Sequence, residues 1–169
     1  MNPDTPLDAA ADPAALKRAY SCFPSGVVAV CRQQSTGEHV GMSASAFTTV
    51  SLDPPLVSIC VRRESTTWPQ LRDAELGISV FATDQGAAAR QLAGPPADRF
   101  TGWRPLVEPS GALFIPGAAA HLVCTVASEI PGGDHTVVLL QIHALRSDPG
   151  VDPLVFHAST FRALEARRG

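Results

Sequence analysis

The stretch Gly41-Met42-Ser43-Ala44-Ser45-Ala46-Phe47-Thr48-Thr49-Val50-Ser51-Leu52-Asp53-Pro54-Pro55-Leu56-Val57-Ser58-Ile59-Cys60-Val61 decides the fold class. Phe, Thr and Val crowd Ala46 to Leu52, residue types that suit a pleated, half-buried surface. Asp53-Pro54-Pro55 breaks the run, and Leu56 to Val61 resumes as a nearly continuous apolar segment. Runs this short between breakers are strands, so the spacing predicts two strands joined by a turn, the second buried on both faces.

Toward the N-terminus, Val27–Arg32 and Glu38–Met42 flank the turn signal Ser35-Thr36-Gly37 and read as a hairpin. Asp12 and Pro13 open a helix that must stop before Phe23-Pro24-Ser25-Gly26. Toward the C-terminus, Ser65 or Thr66 caps a short helix that turns Leu71 inward, and Leu76–Ala82 is a strand. Thr83-Asp84 caps a helix over Gln85–Leu92, and Asp98–Gly117 is loop-rich. Ala119–Glu129 and His135–Leu145 are long strands joined by Ile130-Pro131-Gly132-Gly133-Asp134, Leu154–Phe156 is the last strand, and Thr160–Arg167 a closing helix. Short strands following one another without long helices between them indicate a mainly β fold, a barrel or sandwich with a few short flanking helices. The domain spans 14–169, behind a flexible tail at 1–13.

The chain has 169 residues, 45% hydrophobic and 17% charged, enough to bury a core in one domain. Its 13 Lys+Arg against 16 Asp+Glu leave a net charge of -3, which argues against a nucleic-acid or anionic-membrane surface. No apolar stretch is long enough to span a bilayer, and Met1–Pro13 lacks the charged and apolar regions of a secretory signal, so a cytoplasmic protein is expected. Cys31, Cys60 and Cys124 each sit in an apolar run and read as core residues, and no metal-ligand spacing emerges.

Phosphate-loop, dinucleotide-turn, zinc-protease and nucleophile-elbow motifs are all missing. Three clusters remain. The hydroxyls and small residues from Met42 to Pro54 would let a flat ligand lie against backbone, although an ordinary Ser/Thr-rich strand edge has the same composition. Arg62-Arg63-Glu64-Ser65-Thr66-Thr67 places arginines before hydroxyls at a helix start, suiting a phosphate as well as it suits a solvated turn. His135 follows a Gly-Gly turn, half-exposed, where a lone histidine is more often structural than functional. No protein nucleophile or acid/base pair accompanies them, as in an enzyme that leaves its chemistry to a redox cofactor.

These residues resemble the short-chain flavin reductases, which have an FMN-binding split barrel. The matching pieces are Phe23-Pro24-Ser25-Gly26-Val27-Val28, Gly41 to Phe47, Val50-Ser51-Leu52-Asp53-Pro54-Pro55-Leu56, Ser65-Thr66-Thr67-Trp68, Phe81-Ala82-Thr83-Asp84-Gln85, Asp98-Arg99-Phe100, Gly132-Gly133-Asp134-His135 and Pro153-Leu154-Val155-Phe156. The resemblance implies that Met42, Ser43, Ala44, Ser45, Ser51, Leu52, Asp53 and Pro54 line the flavin ring and ribityl chain. It puts Ser65, Thr66 and Thr67 by the phosphate, where the charge of Arg62 or Arg63 would suit, has Phe81, Ala82 and Thr83 touch the cofactor, and sets His135 near the nicotinamide. It implies NADH or NADPH as hydride donor, FMN or FAD as acceptor, a homodimer with flavin near the interface, and a flavin-dependent monooxygenase as recipient.

Three positions depart from the family pattern. Phe161 stands where a tyrosine is common and keeps an aromatic face without the hydroxyl, Leu139-Leu140 replaces a glycine and is expected to narrow the pocket over the flavin or alter the nicotinamide site, and Thr83 replaces an asparagine. A tight-binding electron carrier without free-flavin reductase activity, and a heme or small-ligand barrel, are the competing readings.

Overall fold

The computed structural model describes residue 7 and residues 10–165. The tail expected over 1–13 lies mostly outside them. Helix α1, Pro13–Ser21, begins where Asp12 accepts hydrogen bonds from the amides of Ala14 and Ala15, and the breakers expected to stop it do so.

The strands are β1 (Ser25–Gly26), β2 (Val28–Gln33), β3 (His39–Ala44), β4 (Phe47–Leu52), β5 (Pro55–Arg62), β6 (Leu76–Val80), β7 (Leu106–Val107), β8 (Leu113–Phe114), β9 (Ala120–Gly132), β10 (His135–Ser147), β11 (Val155–His157) and β12 (Thr160–Arg162). Helix α2, Gly86–Leu92, and 3-10 turns at Trp68–Gln70 and Pro96–Asp98 complete the chain. Seven strands form one antiparallel sheet in the order β3-β2-β6-β9-β10-β5-β4. It curls until β3 approaches β5, but no ladder joins its edges, so the barrel is left split between them.

Alternation along β2 serves two cores at once. Val28 and Val30 point into the barrel with Ile59, Leu71, Ile78 and Leu140, while Val27, Ala29 and Cys31 face outward onto Phe81, Leu92, Leu113 and Leu154. Leu71 turns inward as expected. Among the described residues no helix is long and apolar enough to cross a membrane.

Four expectations are corrected. Strand β5 is buried on one face only: Val57, Ile59 and Val61 are buried, whereas Leu56, Ser58 and Cys60 are half-buried. Cys60 is therefore not a core residue like Cys31 and Cys124. Thr83-Asp84 does not cap α2. Gln85 occupies the cap position without capping, because its side chain accepts from the amide of Ala82 and donates to the carbonyl of Pro116. The closing helix over Thr160–Arg167 does not form where its residues are described (166–169 lie outside them). Thr160–Arg162 instead folds back as β12 on β11, through Ala158 and Ser159 at φ 49° and 60°, and Phe161 packs edge-on against Phe156. Finally, the ladder of β9 and β10 runs through Ile130–Gly132, leaving only Gly133-Asp134 as the turn. Pro131 is tolerated because β9 pairs with β6 only over Ala120–Cys124, so its missing N–H faces a free edge.

Candidate functional site

At the split, the end of β3, the end of β5, the start of β10 and the turn after β5 enclose a cleft of about 610 Å³. One wall is the exit of β3, where the sequence supplies Met42, Ser43, Ala44, Ser45 and Ala46, none with a bulky rigid side chain. Cys60, Val61 and Arg62 of β5 form the facing wall.

The far end is built by Ser65, Thr66 and Thr67. The Ser65 hydroxyl accepts from the amide of Trp68 at 3.1 Å, which leaves its own hydrogen free to donate. Trp68 and Leu71, both buried, anchor the 3-10 turn that follows. Gln70 clamps the same turn through the carbonyl of Thr66 at 2.9 Å.

His135 closes the side of the cleft. The Gly133-Asp134 turn, with Gly133 at φ 71°, puts His135 opposite Arg62 in the β5–β10 ladder. The amide of Arg63 donates to the carbonyl of Asp134 at 3.1 Å and locks the turn. Nδ1 of His135 lies 2.8 Å from a carboxylate oxygen of Asp134. A carboxylate can only accept, so Nδ1 carries a proton, and whenever the ring is neutral Nε2 is an acceptor. That hydrogen bond, reinforced by the charge of His135, holds the Asp134 carboxyl below the usual carboxylate range.

The cleft therefore unites nine of the residues singled out in the sequence: Met42, Ser43, Ala44, Ser45, Arg62, Ser65, Thr66, Thr67 and His135. The others lie elsewhere in this chain. Ser51 and Leu52 end β4 and Asp53-Pro54 turn the chain into β5, at the opposite end of β5 from Arg62, roughly 23 Å along a strand of this length. Phe81 and Ala82 are buried in the outer core, Thr83 is exposed with its amide bonded to the carbonyl of Asp152, and Phe161 stacks under Arg90 at 4.8 Å. Leu140, expected to narrow the cleft, is wholly buried inside the barrel and cannot.

Sequence reasoning missed Arg99, which lines the cleft from beyond α2 and hydrogen-bonds to Thr67. It also missed that Glu64 is the only carboxylate in the lining, set against the guanidinium groups of Arg62 and Arg99. A flavin nucleotide fits this donor set. Small residues admit a flat ring, free hydroxyls face a polyol, and the positive balance suits a phosphate.

A second groove, about 820 Å³, adjoins the cleft through Ser45, Ala46 and Cys60 and is lined by Tyr20, Phe23, Phe47 and Phe156. Tyr20 and Phe23 are 70% and 78% exposed, unusual for rings of that size.

The chain matches the flavin reductase like domain over residues 20–165. It is 38% identical to the NADH-dependent flavin reductase of Rhodococcus sp., over 94% of this chain and 90% of that one. Its fold superposes on the solved NADH:FAD oxidoreductase of Streptomyces globisporus C-1027, in complex with NAD and FAD fragments, with a TM-score of 0.86 and 35% identity, covering 94% of this chain and 96% of that one. It is 28% identical, over 96% of its length and 88% of the relative's, to a flavin-dependent monooxygenase reductase subunit of Mycobacterium tuberculosis. A split barrel with a hydroxyl-lined, positively charged cleft, carried by a sequence that matches over almost its full length, has one consistent assignment: the chain belongs to the flavin reductase like family.

Proposed function

We propose that the protein is an NAD(P)H-dependent flavin reductase, taking NADH or NADPH and reducing FMN or FAD, and that it supplies reduced flavin to a partner monooxygenase. The observation that carries this reading is the convergence, in one cleft, of the small-residue exit of β3, the hydroxyl turn Ser65–Thr67 and His135. A flavin bound there supplies the ring that accepts a hydride from the nicotinamide. The chain's own share is positioning, since hydride transfer needs both reactants held near contact. Met42 to Ser45 support the ring, Ser65 to Thr67 hold the ribityl and phosphate end, and His135 offers Nε2 as an acceptor to the carboxamide of the dinucleotide.

The reading extends to a homodimer in which a second copy covers the aromatic groove beside the cleft. Tyr20, Phe23 and the fully exposed Leu52 support it, since burying such side chains is favourable by about 1.5–3 kcal/mol each. In that arrangement Ser51–Pro54, Thr83 and Phe161 serve the site from the subunit boundary. All four cysteines are free thiols, in keeping with work in the cytoplasm. The unit that performs the reaction is the domain at 14–169.

The test is NADH and NADPH oxidation by the purified protein, with and without saturating FMN or FAD. Flavin-dependent oxidation is the expected result, and oxidation no faster than in buffer overturns the reading. Tightly held yellow flavin with no oxidation would establish the carrier, and a Soret band the heme barrel.

A further inference from the structure

We propose that the concavity between the tips of the β2–β3 and β7–β8 hairpins is a second ligand site, separate from the flavin cleft. It takes a small amino acid in its zwitterionic form, with the carboxylate on Arg32 and the ammonium on Glu108.

The concavity measures about 370 Å³, within the range of small-molecule sites, and shares no lining residue with the flavin cleft. It lies before the start of β3, whereas the cleft opens at that strand's exit. Gly111 draws the two tips together. The Gln33 amide donates to the Gly111 carbonyl at 2.7 Å, and Gly111 adopts φ 89°, a conformation that suits glycine. A Cβ there would stand 2.7 Å from the Gln33 carbonyl oxygen and 3.6 Å from Nη2 of Arg32, which sets the guanidinium beside the second tip.

Arg32 is a cation that the fold leaves without a partner. Its side chain is half-buried, and Nε is sealed from solvent with no hydrogen-bond acceptor among the described residues. No carboxylate pairs with the guanidinium among those residues either. The great majority of buried polar groups find a partner, so an arginine with none is an uncompensated desolvation cost. An acceptor arriving from outside the chain offsets that cost, and the concavity that Arg32 lines is where one can enter.

The charge balance selects the ligand. Arg32 and Glu108 are the only charged side chains in the lining, they have opposite signs, and they form no ion pair with each other. A bare anion meets the repulsion of Glu108, and a bare cation that of Arg32. A molecule with a carboxylate at one end and an ammonium at the other answers both. Ser110 adds a donor: its oxygen accepts from the amide of Ala112 at 3.3 Å, which leaves the hydroxyl hydrogen free, and Ser35 lines the opposite tip.

The test uses isotope-labelled full-length protein with excess FMN present, so that the flavin cleft is kept out of the measurement. Backbone amide resonances are followed during titration with glycine, β-alanine and γ-aminobutyrate, which set the two charges at increasing separation. At least one of the three should shift the Ser35 and Ser110 amides saturably at millimolar concentration. Acetate and methylammonium, each carrying one of the two charges, should bind at least about tenfold more weakly. Arg32→Met and Glu108→Gln should each weaken the amino acid by about 10- to 100-fold, the range lost with a charge-assisted hydrogen bond. If Arg32→Met does not fold, Glu108→Gln, at an exposed position, carries the test alone. The absence of a saturable shift with all three amino acids overturns the proposal. So does undiminished affinity in either folded variant, or acetate binding as tightly as the best amino acid, which would make the concavity a simple anion site.

Discussion

The indole N–H of Trp68 is held by the carboxylate of Glu129, a residue of β9 far from it in sequence. The other oxygen of Glu129 accepts from Arg72 at 3.3 Å. The turn that carries Ser65, Thr66 and Thr67 is thereby pinned at its far side to the long β9–β10 hairpin, and the hydroxyl end of the cleft inherits the rigidity of the sheet. Trp68 is only 6% exposed, so the partnership matters most when it is broken. Glu129→Ala leaves a buried N–H unsatisfied and should cost about 1–3 kcal/mol of stability. Glu129→Gln keeps an acceptor and should cost less. Urea denaturation of both variants, beside their FMN affinities, checks this: equal stability of the two would mean the Trp68 bond contributes nothing.

Gly77 presents a harder constraint. It lies on β6 against the backbone of Leu113, and an added Cβ would collide with the Leu113 carbonyl oxygen while coming within 2.9 Å of its amide nitrogen. Neither neighbour is a side chain that can rotate away. Gly77→Ala should therefore force β6 and β8 apart and destabilise the fold by about 1–3 kcal/mol, the range seen for overpacked cores. A denaturation midpoint within error of the wild-type value would show that β6 and β8 have room to separate.

The strands were legible because breakers bracket them. Asp53-Pro54-Pro55 and Ser35-Thr36-Gly37 delimit hairpins that local turn chemistry alone requires. The one-sided burial of β5 could also have been read, from the small residues Ser58 and Cys60 alternating with Val57, Ile59 and Val61. The end of the chain was not legible. Thr160–Arg167 has a helix-compatible composition, and what overrides it is the packing of Phe161 on Phe156 across a turn with two left-handed residues. Arg99 was hidden for a different reason. Its partners stand 58 and 32 residues away, at Gly41 and Thr67, beyond any local window. The trace it left was Gly41, a strand glycine marking a close approach.

His121 offers a test of pH dependence. It is buried, with Nε2 at 2.8 Å from the carbonyl of Ile115 and Nδ1 at 3.0 Å from Nη2 of Arg146. The carbonyl must accept and the guanidinium must donate, so the ring is neutral with its hydrogen on Nε2. Desolvation lowers its pKa. The Ile115 carbonyl opposes that shift, and the charge of Arg146 adds to it. The folded pKa thus lies below the unfolded value of about 6.5, and stability is lost as pH falls through that value toward the folded pKa, because only the unfolded chain takes up the proton. Glu108, which with His121 and Arg146 lines a surface groove beside β9 and β10, forms no ion pair with Arg146 among the described residues. His121→Gln reproduces the donor and acceptor without the titration. Its melting temperature should fall less than that of wild type between about pH 7 and about pH 5. Parallel profiles would remove His121 as a source of acid sensitivity.

His135 and Asp134 separate orientation from contact. The Asp134 side chain is 92% exposed and bonds Nδ1 of His135, whereas the imidazole itself lines the cleft. His135→Ala should raise the KM for NADH or lower kcat/KM by about tenfold, the loss of one well-placed hydrogen bond, while FMN affinity stays within about twofold of wild type. Asp134→Asn still offers an oxygen to Nδ1 and should fall between wild type and His135→Ala. Two results decide whether the histidine works on the dinucleotide. If kcat/KM for NADH is untouched in His135→Ala, the residue is a spectator at the rim. If FMN affinity collapses along with it, His135 belongs to the flavin wall, and the dinucleotide must approach from the side of Cys60 and the aromatic groove.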